Sequence, residues 1–282
     1  MTTTDTGAAL LRAVERLRGA AERVELTLDL PGVDQARVRQ DDLVKQLDDY
    51  VLPRLRSLDA PLLCVVGGST GAGKSTLVNS LVGETVTRAG VLRPTTRASV
   101  LVHHPDDKKW FTGDRILPGL ARVTGSVTDE DDPASVRLTP STMLPAGLGL
   151  LDAPDIDSVV TSNRDLARQL LAASDLWLFV TTAARYADAV PWSLLREAAE
   201  RGTSVAIILD RVPPEAMDDI RVHLSEMLRE QGLSKAPIFT IPESRLGEDG
   251  MLPAQDTERL RGWLHTLAGD AKARSVVIRR TL

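Results

Sequence analysis

The sequence predicts an α/β protein with a mostly parallel, doubly wound sheet that is flanked by N- and C-terminal helices. From about Ala60 onward, short apolar runs alternate with amphipathic segments, which is typical of strands joined by crossover helices. The first of these apolar runs leads through a glycine-rich turn directly into a helical pattern. The chain has 282 residues, 43% of them hydrophobic and 3% aromatic. This length suffices for one α/β domain with helical additions and a core of mainly Leu, Val and Ala.

Two helical patterns precede the first predicted strand. Residues 8–17 repeat apolar side chains every three or four positions, and Pro31–Gly32 interrupts this pattern. A second pattern runs from about Asp34 to Leu58. Together they predict a helical hairpin over residues 1–58, and most such hairpins simply cover a neighbouring domain.

The alternating part of the chain is predicted as a domain over residues 59–250. Its strands are Leu62–Val66, Ala98–His103, Gly147–Leu151, Leu176–Val180, Ser204–Leu209 and Ile238–Ile241. Its helices begin near Lys74, Asn163, Val190 and Pro214, and a further helix begins near Asp256. The polar region from Pro105 to Pro140 is interpreted as a long, partly mobile excursion near the second strand. We expect its acidic run, Asp129–Asp132, to be a solvated turn rather than a metal site.

Residues 251–282 are predicted as a C-terminal helix that can pack with the N-terminal helices as the base of a stalk. The last residues still have a helical pattern without a terminating glycine or proline, so we expect the natural chain to continue beyond Leu282.

Composition excludes several classes of protein. A formal net charge of -5 argues against a general nucleic-acid binder, which needs a basic face. The single cysteine, Cys64, cannot form an internal disulfide, and its position in an apolar strand predicts a small buried side chain in a reducing cytoplasm. Neither a signal-peptide pattern nor an apolar run of membrane-spanning length is present in the sequence.

A phosphate-binding loop follows the first strand. The stretch Gly68–Ser75 has the spacing G-x-x-x-x-G-K-S between an apolar strand and a helix, the context that this motif requires. Its backbone N–H groups and the helix N-terminus favour phosphate. We expect Lys74 to neutralise the terminal phosphates and the Ser75 hydroxyl to hold Mg²⁺. The predicted nucleotide contacts are Gly68, Ser69, Thr70, Gly71, Ala72, Gly73, Lys74, Ser75 and Thr76.

Two further segments complete the phosphate site. Asp152 ends an apolar strand, where its carboxylate can hold Mg²⁺ through water. Thr95 and Thr96 precede the second strand, and either hydroxyl fits a γ-phosphate sensor that ligates Mg²⁺ and orders its loop. Chemistry alone leaves the two threonines equivalent.

These segments resemble a P-loop NTPase, namely a GTPase of the translation-factor-related class and of its bacterial dynamin-like and Era-like branch. The segment Tyr186–Trp192 is similar to that of actinobacterial-type members. The resemblance covers about Leu62–Ser244 and implies hydrolysis of GTP to GDP and phosphate with Mg²⁺. It favours Thr96, which precedes an arginine, so that Lys74, Thr96 and Asp152 act on the substrate and Ser75, Thr96 and Asp152 hold the metal.

The resemblance also implies partners. Self-dimerisation through the GTPase domain and membrane association through sequence beyond this chain are expected from it alone. We therefore expect a cytoplasmic protein that can act at the inner face of the membrane.

The sequence departs from this family at three places. Asp155 stands at the usual glycine after the strand-end aspartate, and a carboxylate there is repelled by a triphosphate unless it points away. Ile156 follows, so no glutamine orients the attacking water. In the guanine-reading motif, Asp210 and Arg211 match the first two positions in kind, but Pro213 replaces the aspartate. The stem of Arg211 can still stack on the base, Asp210 is a candidate for the guanine contact, and the later Ser244 is expected near the base.

Other classes of function remain as alternatives. A transporter-type ATPase needs a signature beginning Leu-Ser-Gly-Gly and a glutamate directly after the strand-end aspartate. The sequence has neither, and Ala153 follows Asp152. A small-molecule kinase lacks a lid of clustered arginines. A binding switch with little or no hydrolysis, or a P-loop ATPase without guanine selectivity, stays open.

Overall fold

The computed structural model describes residues 3–28, 31–47, 52, 60–88, 99–113, 116–117, 120–125, 135–158, 161–200 and 203–269. Thr95, Thr96, the acidic run Asp129–Asp132 and the chain after Gly269 therefore lie outside the described residues. Contacts divide the chain into two compact units, Met1–Ala60 and Pro61–Leu282.

The first unit contains helices α1 (Thr3–Glu22) and α2 (Val33–Gln46), which contact each other. Helix α1 ends before the predicted break at Pro31–Gly32, and a side chain of α2 binds carbonyl groups at and just after its C-terminal end. Gln40 Nε2 donates to the carbonyl oxygen of Ala21 at 2.7 Å and to that of Val24 at 2.9 Å. These side-chain bonds take the place of helical ones and turn the chain back on itself.

The second unit contains one sheet, which among the described residues has eight strands in the order β3-β4-β2-β5-β1-β6-β7-β8. The strands are β1 Leu62–Gly68, β2 Ser99–His103, β3 Ala121–Val123, β4 Ser135–Pro140, β5 Leu148–Asp152, β6 Leu176–Thr182, β7 Ser204–Val212 and β8 Ile238–Pro242. Only the β2–β5 pair is antiparallel among the described pairs. The mostly parallel sheet confirms the predicted fold class.

Helices cover both faces of this sheet. They are α3 Lys74–Val82, the short α4 Lys108–Phe111, α5 Thr161–Ala172, α6 Ala189–Glu200, α7 Met217–Glu230 and α8 Ala254–Gly269. Buried side chains of α3 and α8 join one hydrophobic cluster, and those of α5, α6 and α7 join the other. Two 3₁₀ turns, at Pro105–Asp107 and Pro214–Ala216, precede α4 and α7. The result is three layers, helix on sheet on helix.

Strand β1 lies in the middle of the sheet and is buried on both faces. Val65 belongs to one cluster, while Cys64 and Val66 belong to the other. Burial on both faces explains why the strand reads as an unbroken apolar run. The buried position also raises the pKa of the Cys64 thiol well above its ordinary value, as expected for a small core side chain.

The region from Pro105 to Pro140, interpreted from sequence as a long excursion, contains regular structure that was not predicted. It contains α4 and the two strands β3 and β4, which extend the sheet. In β4, Val136 and Leu138 enter the core, while the side chain of Arg137 is only 2% exposed. Arg137 Nη1 donates to the carbonyl oxygen of Gly125 at 2.7 Å. The strand pattern was missed because Arg137, a charged residue, occupies a buried position in β4.

Helix α8 packs within the second unit. It contacts β8 and α3, and its Leu260 and Leu264 are buried. Its predicted packing with the N-terminal helices stays a prediction. None of the helices that the structure describes combines the length and the apolar character needed to cross a membrane.

The first glycine of the phosphate loop has no room for a side chain. A Cβ on Gly68 would lie 2.0 Å from the carbonyl oxygen of Val180, whereas a Cβ on Gly262 in α8 meets nothing within 4 Å. We expect Gly68→Ala to lower the free energy of unfolding by about 1–3 kcal/mol through forced displacement of β6. The control, Gly262→Ala, should raise it by about 0.5–1 kcal/mol. Urea denaturation of both variants measures this, and equal effects would contradict the packing described for β1.

Candidate functional site

The loop between β1 and α3 is shaped by two glycines and one lysine. Gly71 and Gly73 have positive φ angles of 72° and 90°, which other residues rarely adopt. Lys74 Nζ donates to the carbonyl oxygens of Gly68 and Ser69, both at 3.1 Å. Its side chain is 6% exposed. The lysine therefore closes the loop on itself and keeps its ammonium group at the centre of the loop.

Asp152, at the end of β5, lies beside the first turn of α3. Its Oδ2 accepts from Ser75 Oγ at 2.7 Å and from Thr87 Oγ1 at 2.8 Å. Burial raises the pKa of the Asp152 carboxyl, against the hydrogen bond from Ser75, the charge of Lys74 and the hydrogen bond from Thr87. Within the described part of the chain, its Oδ1 is buried and has no hydrogen-bond partner.

The unpartnered oxygen of Asp152 suits a magnesium ion. A buried carboxylate oxygen without a partner is costly, and a divalent cation near Oδ1 and the Ser75 hydroxyl would supply the missing positive charge. The residues present therefore fit the metal that the sequence predicts, and Ser75 and Asp152 are the described residues that would hold it.

Sequence reasoning missed Thr87, which the structure places on the same carboxylate. The side chain of Asn79 in α3 builds the loop that carries Thr87. Asn79 Oδ1 accepts from the N–H groups of Val86 at 2.9 Å and Thr87 at 3.0 Å, and Asn79 Nδ2 donates to the Thr87 carbonyl at 2.8 Å. A polar asparagine on the apolar face of α3 was the available signal, since such a side chain commonly binds nearby backbone.

Asp155 does not point away from the loop. Its Oδ1 accepts from Lys74 Nζ at 2.5 Å and forms an ion pair with it. The Asp155 side chain is 32% exposed. The carboxylate that stands at the usual glycine is therefore the anion that neutralises the lysine of the phosphate loop.

A second carboxylate joins the same loop to the segment after β6. Asp157 Oδ1 accepts from both the N–H group and the hydroxyl of Thr70 at 2.6 Å. Arg185 Nη2 donates to Asp157 Oδ2 at 3.0 Å, and Arg185 Nη1 donates to the Thr70 carbonyl at 3.0 Å. Partial burial alone raises the pKa of Asp157, but the bonds from Thr70 and Arg185 outweigh it and hold that pKa below its ordinary value.

Neither Asp157 nor Arg185 was predicted from sequence. They are far apart along the chain, and no motif spacing connects them. Of the residues predicted from the motif, the structure places Gly68–Thr76 beside Asp152, whereas Thr96 lies outside the described residues.

Two of the predicted base-binding residues, Arg211 and Asp210, contact other parts of the protein. Arg211 has a positive φ of 53°, and its Nη2 donates to the carbonyl oxygen of Gly71. Asp210 Oδ1 accepts from the Arg211 N–H at 2.9 Å, and Oδ2 lies 2.6 Å from where a Cβ on Gly73 would be. Burial raises the pKa of Asp210. Both of its oxygens thus lie against the loop and Arg211, and its guanine contact stays a prediction.

Ser244 lies after β8 and contacts α8. Its Oγ donates to Asp256 Oδ2 at 2.7 Å, in the first turn of that helix. Pro213 stands at the start of the 3₁₀ turn Pro214–Ala216, where it has no N–H or side-chain acceptor to offer a base. The role of Ser244 beside the base therefore stays a prediction.

A strand, a glycine loop closed by its lysine, a helix and a strand-end aspartate together define a P-loop NTPase. The sequence model of the Dynamin family matches residues 64–212, more than half of the chain. The chain belongs to the Dynamin family. No curated protein matches it in sequence.

Solved structures show the same fold. The chain is similar to two structures of an oligomerised bacterial dynamin pair described as providing a mechanism for long-range sensing and tethering of membranes. One has a TM-score of 0.55 and 12% identity, and the match covers 97% of this chain and 45% of that one. The other has a TM-score of 0.50 and 12% identity, and the match covers 100% of this chain and 55% of that one.

An Era protein from Aquifex aeolicus bound to GDP and AlF4⁻ is also similar, with a TM-score of 0.46 and 18% identity over 73% of this chain and 56% of that one. The chain spans about half the length of the bacterial dynamins it matches. The chain is thus a P-loop NTPase of the Dynamin family.

The lowered pKa of Asp157 makes its contribution to stability depend on pH. A carboxylate with a lowered pKa stabilises the folded state above its unfolded pKa, and this is lost as pH falls through the folded pKa. We expect Asp157→Asn to lower the Tm at neutral pH by about 3–8 °C. The difference from wild type should shrink as pH falls below about 4.

Thermal unfolding from pH 7 downward measures this effect. Asp188→Asn is the matched control, because Asp188 binds the same Arg185 in an ion pair whose two side chains are both 41% exposed. Such exposed pairs contribute little. A pH-independent difference for Asp157→Asn would contradict the assignment.

Proposed function

We propose that this chain binds GTP with Mg²⁺ and hydrolyses it to GDP and phosphate as a conformational switch. The observation that carries the proposal is the convergence of Lys74, Ser75 and Asp152 at one edge of the sheet in a chain of the Dynamin family. Family membership supports GTP binding and hydrolysis in general. We propose the magnesium dependence and the switching from the roles of individual residues.

Each residue has a distinct task in this proposal. Backbone N–H groups of the loop 68–76 surround the phosphates, and Lys74 binds the terminal ones. Ser75 and Thr96 would ligate Mg²⁺, and Asp152 would hold it through water. When bound, Mg²⁺ would offset the negative charge that develops on the leaving GDP oxygen as its bond to the γ-phosphate breaks. After the γ-phosphate leaves, the loop that carries Thr96 and the segment that follows Asp152 would lose these contacts and change conformation.

Hydrolysis by the chain alone is expected to be slow. Ile156 follows Asp155, and its side chain is 3% exposed in the core, so it cannot orient a water molecule. A second copy bound through the GTPase domain is the proposed source of acceleration. The same observation favours a second candidate function, a switch that reads the bound nucleotide with little or no hydrolysis.

The base half of the site is proposed to depend on Arg211. Its guanidinium binds the Gly71 carbonyl, which directs the side chain over the loop where its stem can stack on a base. Asp210 is proposed for the guanine contact, and Ser244 is proposed to lie near the base. Because Pro213 replaces the usual aspartate, an ATPase without guanine selectivity is the remaining alternative.

Partners and location are proposed from the family. The bacterial dynamins that this chain resembles form an oligomerised pair that senses and tethers membranes. For this chain we propose self-dimerisation, and membrane association through sequence beyond residues 1–282, at the inner face of the membrane. The net charge of -5 gives no strong nucleic-acid signal. The proposed division is 1–58, 59–250 and 251–282, with the outer segments as the base of a stalk.

Lys74→Ala tests the site directly. We expect it to weaken Mg–GTP binding by about a hundredfold or more, because the terminal phosphates lose their charge partner. Little of the fold should be lost, since the lysine contacts loop carbonyls and a carboxylate rather than apolar core. The control is Lys235→Ala, at an exposed lysine. Isothermal titration with GTP, GDP and ATP, together with phosphate release, measures the effect. Unchanged GTP binding by Lys74→Ala would refute the site.

A further inference from the structure

We propose that Asp155 sets the preference of this site between nucleoside diphosphate and triphosphate. Its carboxylate occupies the position on Lys74 that a γ-phosphate needs, so a triphosphate binds only when Asp155 leaves. This inference rests on the proposed function, because it assumes that a nucleotide enters the P-loop.

The argument begins with the three N–H donors of the Lys74 ammonium group. In the structure they are matched by three acceptors, namely the carbonyls of Gly68 and Ser69 and the carboxylate of Asp155. A phosphate oxygen can bind this nitrogen only by replacing one of them. The two carbonyls belong to the loop itself and stay with it. Asp155, which is 32% exposed, is the partner that can be exchanged.

Charge repulsion decides whether Asp155 or a phosphate group stays on Lys74. A carboxylate and a phosphate that share one ammonium group repel each other, because both are negative and lie within a few ångströms. A diphosphate has no γ-phosphate and carries less negative charge, so it competes less strongly with Asp155 for Lys74. A triphosphate fills the γ position and expels Asp155. The carboxylate therefore lowers triphosphate affinity more than diphosphate affinity.

The segment around Asp155 is held on both sides. The Ala153 N–H donates to the Val66 carbonyl at 3.1 Å, and the Ile156 N–H donates to the Gly68 carbonyl at 3.3 Å. Ile156 is buried, and Asp157 binds Thr70. When Asp155 leaves Lys74, the neighbouring residues 153, 156 and 157 are therefore held in place. A bound γ-phosphate would thus move the Asp155 side chain away from the loop while the rest of the segment stays in position.

Nucleotide affinity in the full chain tests this proposal. Binding of GDP and of a β,γ-imido GTP analogue, each with Mg²⁺, is measured for wild type, Asp155→Asn and Asp155→Gly. We expect both variants to raise affinity for the analogue relative to GDP by about tenfold or more. The control, Asp188→Asn, removes the same charge from a carboxylate that binds Arg185 rather than Lys74, and its ratio should equal that of wild type.

Three outcomes would overturn the proposal. An unchanged ratio in both Asp155 variants, with analogue binding still abolished by Lys74→Ala, refutes the role of Asp155 and leaves the proposed function intact. Equal loss of affinity for both nucleotides, in variants whose thermal unfolding matches wild type, means that Asp155 supports the site instead of competing for it. Wild-type protein that binds neither nucleotide refutes the proposed function and this inference together.

Discussion

The pairing of the Lys74 ammonium group is the constraint on which the rest of the site depends. A buried positive charge is stable only when it is paired and hydrogen-bonded. Two of its partners are carbonyls of the same loop, and the third is Asp155. The loop therefore keeps its shape because the lysine is satisfied from within. The loop therefore does not need a bound ligand to keep its shape. One of the three partners of Lys74 is nevertheless an anion, Asp155, which a phosphate can replace.

The end of β5 and the segment that follows it place three carboxylates against three different residues of the phosphate-binding loop. Asp152 contacts Ser75, Asp155 contacts Lys74, and Asp157 contacts Thr70. Their surroundings differ in kind. Burial raises the pKa of Asp152, whereas the bonds from Thr70 and Arg185 outweigh partial burial and lower that of Asp157. Asp152 suits a metal, Asp155 is proposed to compete with phosphate, and Asp157 anchors the segment to the loop.

The sequence predicted those parts of the molecule whose signal is local. Central strands such as β1 are buried on both faces, so an apolar run marks them, and the motif spacing located Lys74 and Ser75. Strand β4 was missed because Arg137 is buried within it. Thr87, Asp157 and Arg185 were missed because their contacts join distant segments, for which one sequence carries no spacing rule. The guanine-reading motif departs from the family pattern at Pro213. The sequence pattern does not show which residue takes over the base contact of the missing aspartate.

The most direct test of this account is a crystal structure of the chain with Mg²⁺ and a β,γ-imido GTP analogue. The account predicts that Lys74 Nζ binds phosphate oxygens, that Asp155 has left the lysine, and that the bonds from Asp157 to Thr70 and Arg185 persist. It also predicts a magnesium ion held by Ser75, with Asp152 bound to it through water. An analogue bound in the loop while Asp155 still pairs with Lys74, or one bound away from the loop, would contradict the account.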